Sequence, residues 1–440
     1  RYSSSPCRYI NHRCLMKPSL LCGFGSVAPI WLTIIAYGVN SFNRVTFAVE
    51  RMRQNPSYLV QLAGCMMLPT DSSNKTLQDE RGREGAIEAI TEAMRLFPDD
   101  KMMGVTCTLS LSTMILFNRE NGLRAGQLGA LNHTLHIYME NMDNAWVTSL
   151  GGAIGAYFDY VNENRLIAAE LGGIKAIIQN IKNNFHGRYG EWTYEPVKNS
   201  LFALSSGCWV NQDICVEEDF PELAVGLMLE HGDEDKIAEE TGQVIKALAF
   251  KSEKYRARMA DAGITNAMVH VVQTNAQDRG AIVLMCESFR SLVGPHTQGG
   301  PSEEAAELAF NKSIQSKALE SGALETLMKV VQGGQEMHHK EHGGFNFDID
   351  LEYNPNRDCF FALASLGYDN PMSRETMMKA GMLDTVLDAL KKRPRDPREY
   401  LAGCLLVKEL DYVDHKAVLA AGGDWCNTVV PGAVAPAISE

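Results

Sequence analysis

Several signatures that would announce chemistry are missing from this chain of 440 residues. It has no G-x-x-x-x-G-K-[ST] phosphate loop, no G-x-G-x-x-G run and no G-x-S-x-G elbow, so nucleotide hydrolysis, dinucleotide-dependent redox chemistry and elbow-type hydrolysis lose their usual markers. None of its eleven cysteines forms a C-x-x-C pair, and they are scattered from Cys7 to Cys426, which fits neither a zinc cage nor a dense disulfide framework. Buried, reduced thiols in an intracellular, cytoplasmic protein are therefore expected. Proline is scarce at 16 residues and hydrophobic residues make up 45%, so the composition is that of a folded, water-facing chain.

Acid is absent from the first 49 residues, and nothing between Pro18 and Asn43 is charged. That stretch is long enough to cross a bilayer, and basic residues stand on both sides of it. Gly23, Gly25, Pro29 and Gly38 interrupt it, leaving a targeting segment, a membrane anchor and a helical cap as competing readings of residues 1–74. Beyond residue 74 the balance reverses, with 34 basic against 52 acidic side chains. A body near −18 repels phosphate backbones, so nucleic acid is excluded as a partner, whereas basic protein segments are attracted.

Internal repetition is the strongest signal in residues 75–426, ahead of a short tail at 427–440. Ile174, Ile177, Ile178 and Ile181 follow an i, i+3, i+4, i+7 pattern. Ile264 to Val271, Leu324 to Val331 and Leu383 to Leu390 repeat it. Such spacing puts four apolar side chains on one helix face, which must be buried against something. Glycine stands just before each, at Gly172-Gly173, Gly263, Gly322 and Gly381, with similar glycines at Gly85, Gly129 and Gly422-Gly423. A left-handed residue there ends one short helix and lets the next leave at a steep angle. A third apolar segment follows each of these helices, so the unit is three helices. Its starts at Ile87, Leu131, Ile174, Leu223, Ile264, Leu324 and Leu383 are separated by steps of 44, 43, 49, 41, 60 and 59.

The segments Ala169 to Ile174, Leu319 to Leu324 and Met378 to Leu383 resemble the turn between the first two helices of an armadillo repeat. This resemblance implies an all-α, armadillo-like right-handed helical solenoid of about seven to eight repeats, whose third helices line a concave groove that holds partner segments. The unit around Leu223 departs most, since Glu217-Glu218-Asp219-Phe220-Pro221 replaces the glycine turn. Importin-alpha-like members carry a Trp and Asn ladder on the third helices. Here Phe202, Lys246, Glu287 and Phe361 fall at the Trp positions and Ser206, Phe250, Ser291 and Ser365 at the Asn positions, which disfavours a nuclear transport-type cargo receptor. These eight are the expected groove residues.

Two insertions add an edge. One carries Arg188, Tyr189, Trp192 and Tyr194, and the other carries Phe345 and Phe347. Aromatic residues in long loops need burial, either back onto the array or beneath a partner. The second insertion also holds His338, His339, Glu341 and His342, an H-x-x-E-H string that could ligate zinc if a rigid helix carried it. Glycine pairs bracket it, so a solvated polar loop is expected in place of a metal-dependent hydrolase. The reading is a non-catalytic scaffold with no cofactor and protein partners. A structural subunit of a large, membrane-associated assembly is the alternative.

Overall fold

A computed structural model describes residues 41–185, 194–250, 252–275, 278–294, 312–333, 355–392, 397–423 and 426. Most of the uncharged 18–43 stretch and the segments 188–192 and 338–347 lie outside them, including Arg188, Tyr189, Trp192, Phe345, Phe347 and the histidines of the H-x-x-E-H string. Among the described residues no helix is long and apolar enough to cross a membrane.

The repeating unit is visible at the first complete example. Lys75–Arg83 ends at the left-handed Gly85, Ala86–Leu96 follows, and Lys101–Ile115 closes the unit. Six more three-helix units succeed it, through Gly151–Phe158, Tyr194–Gly207, Asp235–Ala249, Arg279–Val293, Pro355–Gly367 and Pro397–Asp411 as last elements. Two helices, Ser41–Gln54 and Tyr58–Met67, pack on the first complete unit, with Val49, Met52 and Cys65 in the common core. At the other end His415–Ala420 and the left-handed Gly422 begin a further unit.

Burial follows the periodicity. Ile174, Ile177, Ile178 and Ile181 are all fully buried, as are Ile264, Ala267, Met268 and Val271. At about 1.5–3 kcal/mol for each large apolar side chain, one face stabilises its helix by several kcal/mol only when neighbouring units cover it. Consecutive third helices pack most extensively on one another, forming a continuous layer with the second helices behind it. The opposite side of that layer is open.

Backbone conformation sets the turn. At Gly263 (φ 91°) a Cβ would meet no atom within 4 Å, so space does not require glycine there. The left-handed angle does, because a side chain strains it. The unit lacking glycine reaches the same angle with Asp219 (φ 57°), a residue type that tolerates it comparatively well. Its second helix is therefore Phe220–His231, which begins three residues before Leu223 and corrects the sequence-based start.

Junctions between units are closed by buried side-chain amides. Asn121 donates to the carbonyls of Met114 and Gln78 at 3.1 and 3.0 Å, and Asn164 to those of Tyr157 and Gly122 at 2.8 and 2.9 Å. Asn211 repeats the pattern with Gly207 and Arg165, and Gln315 reaches Ser365 and Tyr368. The last carbonyls of a helix have no partner inside it, so Asn121, Asn164 and Asn211 satisfy the end of the third helix before them, and Gln315 the end of the third helix of its own unit.

The expectation of reduced thiols fails. Cys65–Cys107, Cys208–Cys215, Cys286–Cys359 and Cys404–Cys426 are disulfides. A search for close spacing misses most of them, because stacking brings together cysteines 42 or 73 residues apart in sequence.

Candidate partner-binding surface

The open side of the third-helix layer has two zones. In the first, Leu59, Met102 and Trp146 sit at one phase of successive third-helix segments, and Met66 and Leu109 sit seven residues further on at the same side. Leu59 is 59% exposed, Leu109 44% and Trp146 39%, while Met66 and Met102 are half-buried against the core. Exposed apolar residues in register across neighbouring helices form a stripe rather than isolated exceptions. Asp99 and Asp100 stand beside it at the start of a third helix, Asp99 paired with His136 at 2.9 Å and Asp100 capping the helix through Met103 N–H.

Charged pairs occupy the second zone. Lys246 Nζ lies 3.2 Å from Glu287 Oε2 on the next third helix, and Arg357 of the following one lies 3.9 Å from Glu287 Oε1. Arg357 also pairs with Asp358 at 2.8 Å, and the Arg290 guanidinium sits 4.2 Å from the Phe361 ring centroid. Burial pushes the Asp358 carboxyl up to about 6, against the opposing pull of its hydrogen bond from Arg357. Of the expected groove residues, Lys246 and Glu287 are thus paired across two units, whereas Phe361 is buried in the core with Arg290 over its ring.

The other expected positions are placed differently. Phe202 is half-buried, its ring pressed toward Gly155, where an added Cβ would lie 2.6 Å from the ring. Phe250 is 39% exposed and meets Trp209 edge-on at 4.9 Å. Ser206 and Ser291 are half-buried, whereas Ser365 is buried and donates its hydroxyl to the Phe361 carbonyl of its own helix. Of the aromatic loop residues, Tyr194 is described. Its ring lies 5.2 Å from His231 of the next unit, which also meets Phe185 at 5.4 Å, so this end of the insertion folds back on the array.

Sequence reasoning missed the apolar stripe because the groove positions it named begin only at Phe202, in the third helix Tyr194–Gly207. The signal was there in the 43-residue interval from Met66 to Leu109 and from Leu59 to Met102. No group of three or more metal-ligating side chains gathers among the described residues.

No family model matches the chain, and no curated protein sequence does. Solved structures do. A structure from a study of the interaction between cadherin and beta-catenin aligns over 86% of this chain and 66% of that one, with 10% identity and a TM-score of 0.60. An engineered protein, target OR497, aligns over 90% of this chain and 96% of its own length, with 13% identity and a TM-score of 0.54. With the three-helix units, the left-handed turns and the stacked third helices already described, these likenesses make the fold an armadillo-like all-α solenoid.

Proposed function

We propose that the array is a non-catalytic scaffold that grips a segment of a partner protein along the open side of its third helices. The observation that carries this reading is the in-register stripe Leu59, Met66, Met102, Leu109 and Trp146, an exposed apolar strip on the face where third helices stack. A partner segment with apolar side chains at its centre would bury there, and an aromatic flanked by half-buried methionines is the sort of cluster that dominates interface energetics. The chain's net charge of −13, with Asp99 and Asp100 beside the stripe, favours basic flanks on that segment. Second-zone pairs such as Lys246–Glu287 already satisfy one another. They contribute register and selectivity more than affinity.

The test is a footprint. Partners would be captured with a photo-crosslinker placed at Leu109 of the full chain, and hydrogen exchange would then be measured with the identified partner bound. Protection is expected on Tyr58–Met67 and Lys101–Ile115, with no turnover. Protection confined to first helices, away from the stripe, sinks the reading.

One observation favours a second reading, a structural subunit of a larger assembly. Leu128 and Leu171, 43% and 40% exposed, occupy equivalent ends of consecutive first helices, with Leu166 half exposed between them. A footprint there would assign the partner surface to the back of the array.

A further inference from the structure

Every cysteine after residue 22 belongs to a disulfide: eight cysteines, four links and none left over. All eight are buried, and their Cα separations of 4.8–6.2 Å fall within the roughly 4.4–6.8 Å that a disulfide requires. Chance proximity of thiols in a reduced core would leave some of them single.

Placement is equally selective. Cys65–Cys107 ties the first pair of helices to the first complete unit, and Cys404–Cys426 ties the last complete unit to the helices that follow it. Cys208–Cys215 spans the junction that leads into the shortest first helix, Gln212–Glu217, and the turn without glycine. Cys286–Cys359 joins the two third helices separated in sequence by the insertion that carries Phe345 and Phe347, closing a separation of 73 residues. By contrast, the short turns at Phe117, Tyr160 and Asp369 carry no disulfide. In a solenoid each unit is held only by its neighbours, so ends and irregular junctions open first. The links fall where that opening would begin.

We propose that this chain matures in an oxidising compartment, and that its four disulfides are clamps on the weak junctions that keep the third-helix layer continuous. Formation of each link removes two protons and two electrons from a thiol pair. These pass to the disulfide of an oxidised dithiol partner, which is reduced to two thiols. Such links persist in secretory or extracellular settings and are reduced in the cytosol, so the cytoplasmic expectation is replaced. Two further features agree. Asn74 and Asn132, which begin N-x-T acceptor sequences, are both exposed, as a glycan would require.

Two measurements decide it. First, the full chain is taken from its native cells under acid quench, free thiols are alkylated with a light reagent, and the remainder is reduced and alkylated with a heavy one. Heavy label is expected on Cys65, Cys107, Cys208, Cys215 and their counterparts, with peptides cross-linked in the stated pairs before reduction. Predominantly light label on these cysteines overturns the compartment assignment, and different pairing overturns the clamp assignment.

Second, hydrogen exchange is compared between the oxidised full chain, the same chain after mild reduction, and Cys286→Ser/Cys359→Ser. Loss of this clamp should raise exchange at least tenfold in Arg279–Val293 and Pro355–Gly367 while Gly173–Asn184 stays protected. Unchanged exchange, or an equal rise everywhere, overturns the clamp role. The reduced wild-type chain supplies the same comparison should the double variant not fold.

Discussion

Neighbouring third helices are held together in two different ways in two parts of this array. Between the second and third complete units they nearly touch. A Cβ on Gly151 would lie 2.7 Å from the Asn199 carbonyl carbon, and one on Gly155 would meet the Phe202 ring at 2.6 Å. Between the fifth and sixth complete units they are joined by Cys286–Cys359 and bridged beside it by Glu287 and Arg357. The first arrangement relies on missing side chains and leaves an apolar open face nearby. The second relies on covalent and ionic links and leaves a charged one. Short turns allow dispersion and close packing to fix a junction, whereas a junction interrupted by long insertions gains from a link independent of the connecting chain.

Mutations can break this contrast. The largest effect is expected from Gly151→Ala, which forces a backbone contact apart and should cost about 3 kcal/mol in urea unfolding. Ala at Gly333, where an added Cβ meets nothing within 4 Å, should leave stability nearly unchanged. Equal costs at the two sites would mean that close approach is not what holds the second and third complete units. Partner binding sharpens the comparison from the other side. Leu109→Glu combined with Trp146→Ala should weaken it about 50-fold by titration calorimetry, against less than about fivefold for Glu287→Gln. The reverse order would move the hot spot to the charged zone.

A pH series probes the same two regions. Burial raises the Asp358 carboxyl to about 6, and likewise that of Asp159, which accepts from the Phe117 N–H at 3.2 Å. A carboxyl whose folded pKa exceeds its unfolded value binds protons more readily when folded. Its contribution is therefore present below about pH 4 and lost as pH rises through about 6. About 1–2 kcal/mol should disappear between pH 4 and 7 for Asp358. Asp358→Asn should flatten that part of the melting-temperature profile, while the Asp159 part persists. A profile unchanged by the substitution would show that Asp358 titrates normally.

The smallest effect concerns the turns. Gly263→Ala should cost about 1 kcal/mol through its left-handed backbone, although nothing crowds the position. Asp219→Gly should be neutral or slightly stabilising. A large loss in thermal denaturation would show that the Asp219 side chain, and not its backbone angle, secures the fourth complete unit.

Much of the fold was legible because two local rules coincided. The 3.6-residue periodicity of Ile174 to Ile181 marked a buried face, and the glycine before it marked the turn. Where the turn residue was Asp219 the rule failed, and the helix start was set at Leu223. The candidate surface was less legible. Lys246 and Glu287 were nominated together and pair across two units, but the same set included Phe361, which is buried, and Ser365, whose hydroxyl bonds its own helix. Whether a residue at a repeated phase faces outward depends on how closely the next unit approaches, and that is not written in any single repeat. The Cys65–Cys107 disulfide and the junction amides of Asn121, Asn164 and Asn211 were hidden for a related reason, since they join positions roughly one period apart.

Those amides also determine where this chain can be divided. Asn164 stands past Tyr157 and Gly122 in the sequence yet binds the carbonyls of both, so a fragment ending at Phe158 would lose the side chain that closes its last junction. A shortened version should keep the first helix that follows its last complete unit and expose a polar face beyond it. For this molecule the usable module boundary lies one helix downstream of the visible repeat boundary, and grafts or deletions designed on the visible one should precipitate.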